Sequence, residues 1–559
     1  MSQFKQIRED ASVDMKNVST LGTANALLMA NHRLNKLLEK AKPVVTRVLI
    51  VADGNVDFRL DNDFFGLNEF ITNTLRVMKT PWEHFEIVTA HRNPSKETNA
   101  EIVSFTFDAS KLPPHNQPLN IDDYAQVWLF GYDPTAELSP GELLALNKFM
   151  QDGGGVFATG DHQDLGFGLC GKVARVSKMR RWQKSDTPPR DGELRLDTLR
   201  PGENIVFEID DECDNFPQFI QPRFYKDCCG TATYPHPLLV YGSGAVNILP
   251  DHRHEGECVI SGNLSEKIDL PDGEQAEEFP SLSSGGQLAP EVVAISVSAG
   301  GFHLDGRREQ RPVIPRCFGA VSAYDGQRVG VGRVVVDASF HHFTDANLRG
   351  IPGDPSRRGF HDNEGKPTRE YEVIKQFYRN IVMWLTPPTQ RHKRYLALLI
   401  ALRYTYPLIE ELRSGEPTDY ENILAVGSLT RRALSSILSP AEIIQCVLSL
   451  LEVEEAPSEV AALIDPWLPG DLRPEGSYHF FNSDVITTLV LGSAMIGVAN
   501  TLPDNLLRAE QSPDLLGKEN DVLDSLVASN IKSLIKVLKP LVEQTLPNIH
   551  RAFDAFNLE

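Results

Sequence analysis

The sequence predicts an α/β protein: a doubly wound, mostly parallel sheet with an inserted excursion, followed by an all-α C-terminal domain. Three observations predict it. An apolar run from Thr46 to Ala52 ends in Asp53-Gly54, as expected of a strand buried on both faces. Strand-like and helix-like stretches then alternate to about residue 165, the pattern of parallel crossovers. Beyond residue 390 the apolar spacing is helical almost throughout.

In chain order, residues 1–44 read as an N-terminal helical segment, with Leu27, Leu28, Leu34, Leu37 and Leu38 near helical spacing. Residues 45–389 form the α/β domain. After the first strand come a helix-like stretch through Phe64, Leu67, Phe70, Ile71 and Leu75, a strand over Phe85 to Thr89, and another over Gln126 to Gly131. Ser139-Pro140-Gly141-Glu142 opens a helix with a serine cap, proline in the first turn and a glutamate placed to complete a capping box. Leu143, Leu146, Phe149 and Met150 give its apolar stripe, Gly153 to Gly155 stop it, and Val156 to Thr159 is the next strand. From about 170 to 250 the alternation fails and the chain reads as an insertion. Strands return at Cys258 to Ser261, Val292 to Val297, Cys317 to Ala323 and Arg333 to Asp337, and a helix over Glu370 to Leu385 closes the domain. Residues 390–559 form the helical domain, where Ser439-Pro440-Ala441-Glu442 repeats the helix-start signature.

At 559 residues the chain exceeds a single hydrophobic core. Its formal charge of −21 disfavours generic attraction to nucleic acid or anionic membranes. Seven cysteines without a CxxC pair fit reduced thiols, and the polar first residues lack a signal-peptide core, so a cytoplasmic protein is expected. The apolar stretch Val485 to Ala499 is short of the ~20 residues of a span and reads as a buried helix.

Ligands of open parallel sheets bind beyond the carboxyl ends of the strands. There the sequence places Asp53, then Tyr132-Asp133, then Gly160-Asp161-His162, and finally Asp337 followed by Ser339, His341 and His342. Imidazoles and carboxylates on one rim suit proton transfer near neutral pH. The catalytic candidates are His162, Asp161, His341 and His342, with Asp53, Tyr132, Asp133 and Asp337 as substrate-binding candidates. Each carboxylate taken singly also fits a turn or helix cap. Arg180 and Arg181, in a basic island with Arg175, Lys178 and Trp182, suit an anionic substrate, or equally pair with the protein's own acids. His252 and His254 alternate as two ligands on one strand face would, so a zinc, iron or manganese ion is a candidate cofactor; a solvated polar loop is the competing reading.

Gly153 to Gly155, the strand Val156 to Thr159 and Gly160-Asp161-His162 together resemble the class I glutamine amidotransferase-like superfamily, and within it the ThuA-like, trehalose-utilisation branch. The resemblance covers residues 45–165 and 255–388, and it implies a flavodoxin-like sheet. In true amidotransferases this turn carries the nucleophilic cysteine; here His162 holds that position, which implies that a cysteine-dependent glutaminase is absent. Cys170, nearby in an apolar setting, is not a nucleophile candidate.

Two functions follow as expectations. One is a hydrolase- or isomerase-like enzyme acting on a small polar metabolite such as a sugar or an amide. The other is a non-catalytic ligand-binding or scaffold protein, with residues 390–559 contacting a partner or a second copy.

Overall fold

A computed structural model describes residues 44–60, 65–183, 217–250, 256–350, 359–405, 420–452, 458–468 and 483–501, short gaps within these ranges aside. The predicted N-terminal helix lies outside the described residues. The first strand, β1 (Val44–Ala52), is followed by β2 (Glu83–His91), β3 (Gln126–Phe130) and β4 (Gly155–Thr159). The long stretch that follows supplies β5 (Arg180–Arg181), β6 (Pro217–Pro222), β7 (Ile248–Pro250), β8 (Glu257–Cys258), β9 (Glu291–Ser298) and β10 (Arg316–Tyr324), and β11 (Val334–Asp337) ends the series.

The mixed sheet has a parallel heart. β2, β1, β3, β4 and β11 lie side by side, with Ile50 opposite both Thr89 and Trp128, and Phe157 opposite both Trp128 and Val335. Numbered along the chain, these five strands stand in the order 2-1-3-4-5. Beyond β11 the direction reverses: β10, β9, β6 and β7 continue the sheet antiparallel. Residues 170–250, expected as an insertion, thus contribute β6 and β7 to the far edge of the main sheet.

Residue alternation assigns the two faces. Val48, Ile50, Ala52, Trp128, Phe130, Phe157 and Val335 pack against the short helical crossover Asn68–Leu75 and the long helix Arg369–Leu385. Leu49, Val51, Val127, Leu129, Val156 and Ala158 pack against helix α1 (Pro140–Gln151) on the other side. Both halves of the capping box predicted for α1 are present, Ser139 Oγ accepting from the Glu142 N–H at 3.2 Å and Glu142 Oε2 accepting from the Ser139 N–H at 2.9 Å. Gly153 then takes a φ of 102°, which ends α1 and turns the chain into β4.

Helix α2 (Arg369–Leu385) is capped by Thr368 and buries Tyr371, Ile374, Phe377, Tyr378 and Ile381. Beyond it come α3 (Pro388–Thr405), α4 (Tyr420–Leu434), α5 (Pro440–Glu452) and α6 (Ser483–Thr501), built around Leu399, Ile423, Val447, Leu450, Val490 and Ala494. At α4 and α6 the backbones meet: a Cβ on Gly427 would strike the Thr488 carbonyl, and one on Gly492 the Ile423 carbonyl. Helix α6 is long and apolar enough by composition to cross a membrane, yet 72% of that window is buried against its neighbours. The helices dock on the α/β unit through Arg394 Nη2 to Thr46 Oγ1 (3.1 Å), Arg379 to Glu442 (2.9 Å), Arg328 to Asp465 (2.8 Å) and the Trp467 indole N–H to the Pro235 carbonyl (3.0 Å). Thr46 lies in the first three residues of β1, so this contact is at the end of the strand opposite Asp53.

Candidate functional site

Strands β4 and β11 are paired, Thr159 opposite Asp337, so their carboxyl-end loops leave the sheet side by side. The Phe340 N–H ties them together, donating to the Gly160 carbonyl at 2.7 Å. Between them sits Asp161, 1% exposed. Its Oδ1 accepts from the Ser339 hydroxyl at 2.7 Å, while its Oδ2 lies 2.7 Å from His162 Nδ1 and 3.8 Å from His341 Nε2. Two imidazoles from distant parts of the chain therefore face one carboxylate oxygen, His162 at hydrogen-bond distance and His341 at the longer range of a charge pair.

Local chemistry sets each ring. Ser339 caps the short 3-10 turn Phe340–Phe343, its Oγ accepting from the His341 N–H at 3.1 Å, so one hydroxyl orients both the turn and Asp161. His341 Nδ1 lies 3.4 Å from Asn347 Oδ1, and the ring packs against Phe340 and Phe65 at centroid distances of 4.7 and 5.8 Å. Phe65 in turn meets Tyr132 edge-on at 5.4 Å, making an aromatic wall beside the cluster. His162 has the more open ring, its side chain 23% exposed against 7% for His341. A carboxylate on Nδ1 favours the tautomer with the proton there, leaving Nε2 as the basic atom.

His342 turns the other way. It is fully buried, with Nδ1 on Asp337 Oδ1 at 2.7 Å and Nε2 on Gln218 Oε1 at 3.1 Å, and its carbonyl accepts from the Tyr378 hydroxyl. It joins β11 to β6 and stands apart from the His162–His341 pair. Asp337 is committed to the same inner network and accepts from the Ser339 N–H at 3.0 Å.

Asp53 ends β1 with no exposure; its Oδ1 accepts from the Tyr132 and Asp133 N–H groups at 2.6 and 3.0 Å. Burial pushes its carboxyl up from 3.8 to about 6 against the pull of those bonds and of Arg92. Asp133 caps the next turn; burial works to raise it, but bonds from Thr135 and Ala136 outweigh that and hold it below the usual range. Both carboxylates thus serve the backbone around Tyr132.

Arg180 is 2% exposed, its guanidinium donating to the carbonyls of Asp161, Ala338 and Arg181. Arg181 pairs with Glu257 at 3.0 Å. Elsewhere in the basic island Arg175 is buried against Glu278, and Lys178 bonds Glu266 at 2.7 Å. Neither guanidinium of the Arg180–Arg181 pair is left uncommitted toward the rim. His252 and His254 lie outside the described residues. Among the described residues, no group of three or more His, Cys, Asp or Glu is arranged to hold a metal ion. A groove of about 550 Å³ lies elsewhere, between α1 and the strand Lys267–Asp269, lined in part by Leu143, Asn147, Lys172 and Glu266. Cys170 is buried with its thiol pushed well above its ordinary range by desolvation.

Sequence reasoning placed Ser339 at the strand end without giving it a role, and did not single out Phe65, Phe340 or Asn347. Ser339 had a readable signal, a serine directly after a strand end and ahead of two histidines. The aromatic wall had none, because Phe65 and Tyr132 come from different crossovers.

No family profile matches the chain, and no curated protein matches it. Among solved structures, a ThuA-like protein from Parabacteroides merdae is similar over 62% of this chain and 90% of its own length, at 12% identity and a TM-score of 0.26. A likeness at that level brings neither a reaction nor a ligand to this chain.

Proposed function

We propose that the Asp161–His162–His341 cluster is the general acid–base site of a hydrolase- or isomerase-like enzyme acting on a small polar metabolite. The observation that carries this is the single Asp161 Oδ2 facing imidazoles from two strand ends. Asp161 orients His162 so that Nε2 takes a proton from substrate or water, and it stabilises the imidazolium that forms. His341, its Nε2 toward the same oxygen, is the second proton carrier. Such groups contribute rate factors of ~10²–10⁴. In this reading the parallel strand order 2-1-3-4-5 is a flavodoxin-like core. Cysteine chemistry at the β4 turn is replaced by His162, as the ThuA-like resemblance implies, and the protein works in a reducing cytoplasm.

The test is turnover of a panel of amide, ester, lactone and glycoside substrates, together with aldose–ketose pairs, by wild type, His162→Ala and His341→Ala. Turnover that falls at least a hundredfold in His162→Ala is the expected result. Turnover unchanged in both variants overturns the proposal.

The second reading is a non-catalytic ligand-binding or scaffold protein, its helices α3 to α6 contacting a protein partner or another copy. The near-complete burial of Asp161 and the aromatic wall over His341 favour it. It predicts saturable metabolite binding that persists in His162→Ala, without turnover in any variant.

A further inference from the structure

Arg180 sits where a charge is expensive. Its side chain is sealed from solvent, and desolvation pulls its proton affinity down. A buried arginine ordinarily meets a carboxylate fork to fork. Here Nη2 donates to two backbone carbonyls, Asp161 O and Ala338 O (the latter at 2.9 Å), while Nη1 donates to Arg181 O at 3.0 Å. Asp161 begins the loop that carries His162; Ala338 begins the loop that carries Ser339 and His341. One guanidinium nitrogen thus bridges the two loops whose side chains make the cluster. The Trp182 ring backs the guanidinium at 4.5 Å, and the Asp161 and Asp337 carboxylates offset its charge. Space for it is reserved: the Gly256 N–H also donates to Ala338 O, at 3.1 Å, and a Cβ at Gly256 would overlap Nη2 of Arg180.

We infer that Arg180 is a positioning residue of the Asp161–His162–His341 cluster, holding the β4 and β11 loops at the separation that lets both imidazoles face one carboxylate oxygen. The inference rests on the acid–base reading of that cluster and gives Arg180 a role other than substrate contact. The planar fork is the working part; a lysine keeps the charge but cannot span two carbonyls and a third with fixed geometry.

The experiment uses the full chain with ¹⁵N-labelled histidine, reading the ring-nitrogen shifts of His162 in long-range ¹H–¹⁵N spectra at pH 8. Wild type is expected to show the Nδ1–H tautomer. Asp161→Asn loses that signature, which anchors the site reading. Arg180→Lys is expected to lose it as well while far-UV circular dichroism stays that of wild type. Gly256→Ala, which displaces the guanidinium by steric overlap, gives the same loss and decides the matter if Arg180→Lys does not fold. Retention of the wild-type His162 signature in folded Arg180→Lys or Gly256→Ala, with Asp161→Asn altered, overturns the role of Arg180 alone. An unchanged signature in Asp161→Asn overturns the cluster itself, and the inference with it.

Discussion

Asp53→Asn tests the electrostatics of the strand-end rim with a sign opposite to that of most carboxylates. Asp53 has no exposed surface; one oxygen accepts two backbone N–H groups and the other, Oδ2, is buried without a hydrogen bond among the described residues. Its carboxyl is raised from 3.8 to about 6, so the folded chain holds this proton more tightly than the unfolded chain does. Between those values the folded state binds more protons, and stability falls as pH rises. Below the unfolded value the group contributes nothing; above the folded value it carries a constant cost. At 1.36 kcal/mol per pH unit, that cost is about 3 kcal/mol. Asparagine keeps an acceptor for the Tyr132 and Asp133 N–H groups and removes the charge. Its buried amide N–H carries a penalty of ~1–3 kcal/mol, but that penalty does not vary with pH. The stability of Asp53→Asn relative to wild type should therefore improve by about 2.5 kcal/mol between pH 4 and pH 8, most of it by pH 6 to 7. Urea unfolding of both proteins at several pH values, followed by tryptophan fluorescence, measures it. A difference between the two proteins that stays flat from pH 4 to 8 refutes a buried, proton-holding Asp53.

Four further outcomes follow from packing. His342→Ala should cost ~3–5 kcal/mol by breaking the buried Asp337–His342–Gln218 chain, whereas His162→Ala, on the open side of Asp161, should cost about 1 kcal/mol or less, both read by urea midpoints. Trp128→Ala should cost ~3–5 kcal/mol, because the indole is fully buried between Phe70 and Phe157 and its N–H donates to Gln126 at 3.0 Å. Gly492→Ala should destabilise the α4–α6 pair by ~1–3 kcal/mol, seen as earlier protease cleavage within residues 420–501 while the α/β unit stays intact. A bulky maleimide should label exposed Cys317 and spare buried Cys170 in the folded chain; modification of Cys170 at a comparable rate would contradict its sealed position.

What the sequence made legible was periodicity and punctuation. The run Val48 to Ala52 could only be a strand covered on both sides, and Ser139-Pro140 with Glu142 could only open a helix; both stand where expected. Strand ends were legible too, which is why Asp161, His162 and His341 could be named in advance and are found around one oxygen. Strand direction was not legible. Cys317 to Ala323 and Val292 to Val297 have the same apolar texture as β1, yet they run antiparallel, because direction depends on connections through a stretch without strong periods. The inward turn of His342 was equally hidden. Adjacent residues in a strand point to opposite faces, but His341 and His342 lie on a 3-10 turn, where the Ser339 cap sends one ring to the Asp161 carboxylate and the other to Asp337 and Gln218. Arg180 is the same lesson in charge: its residue type announces a surface cation or an anion site, and only the three carbonyls around it reveal a buried brace. Residue type and spacing locate where polar groups converge; which of them faces the open rim is decided by backbone carbonyls and single hydroxyls, partners that leave no pattern in a sequence.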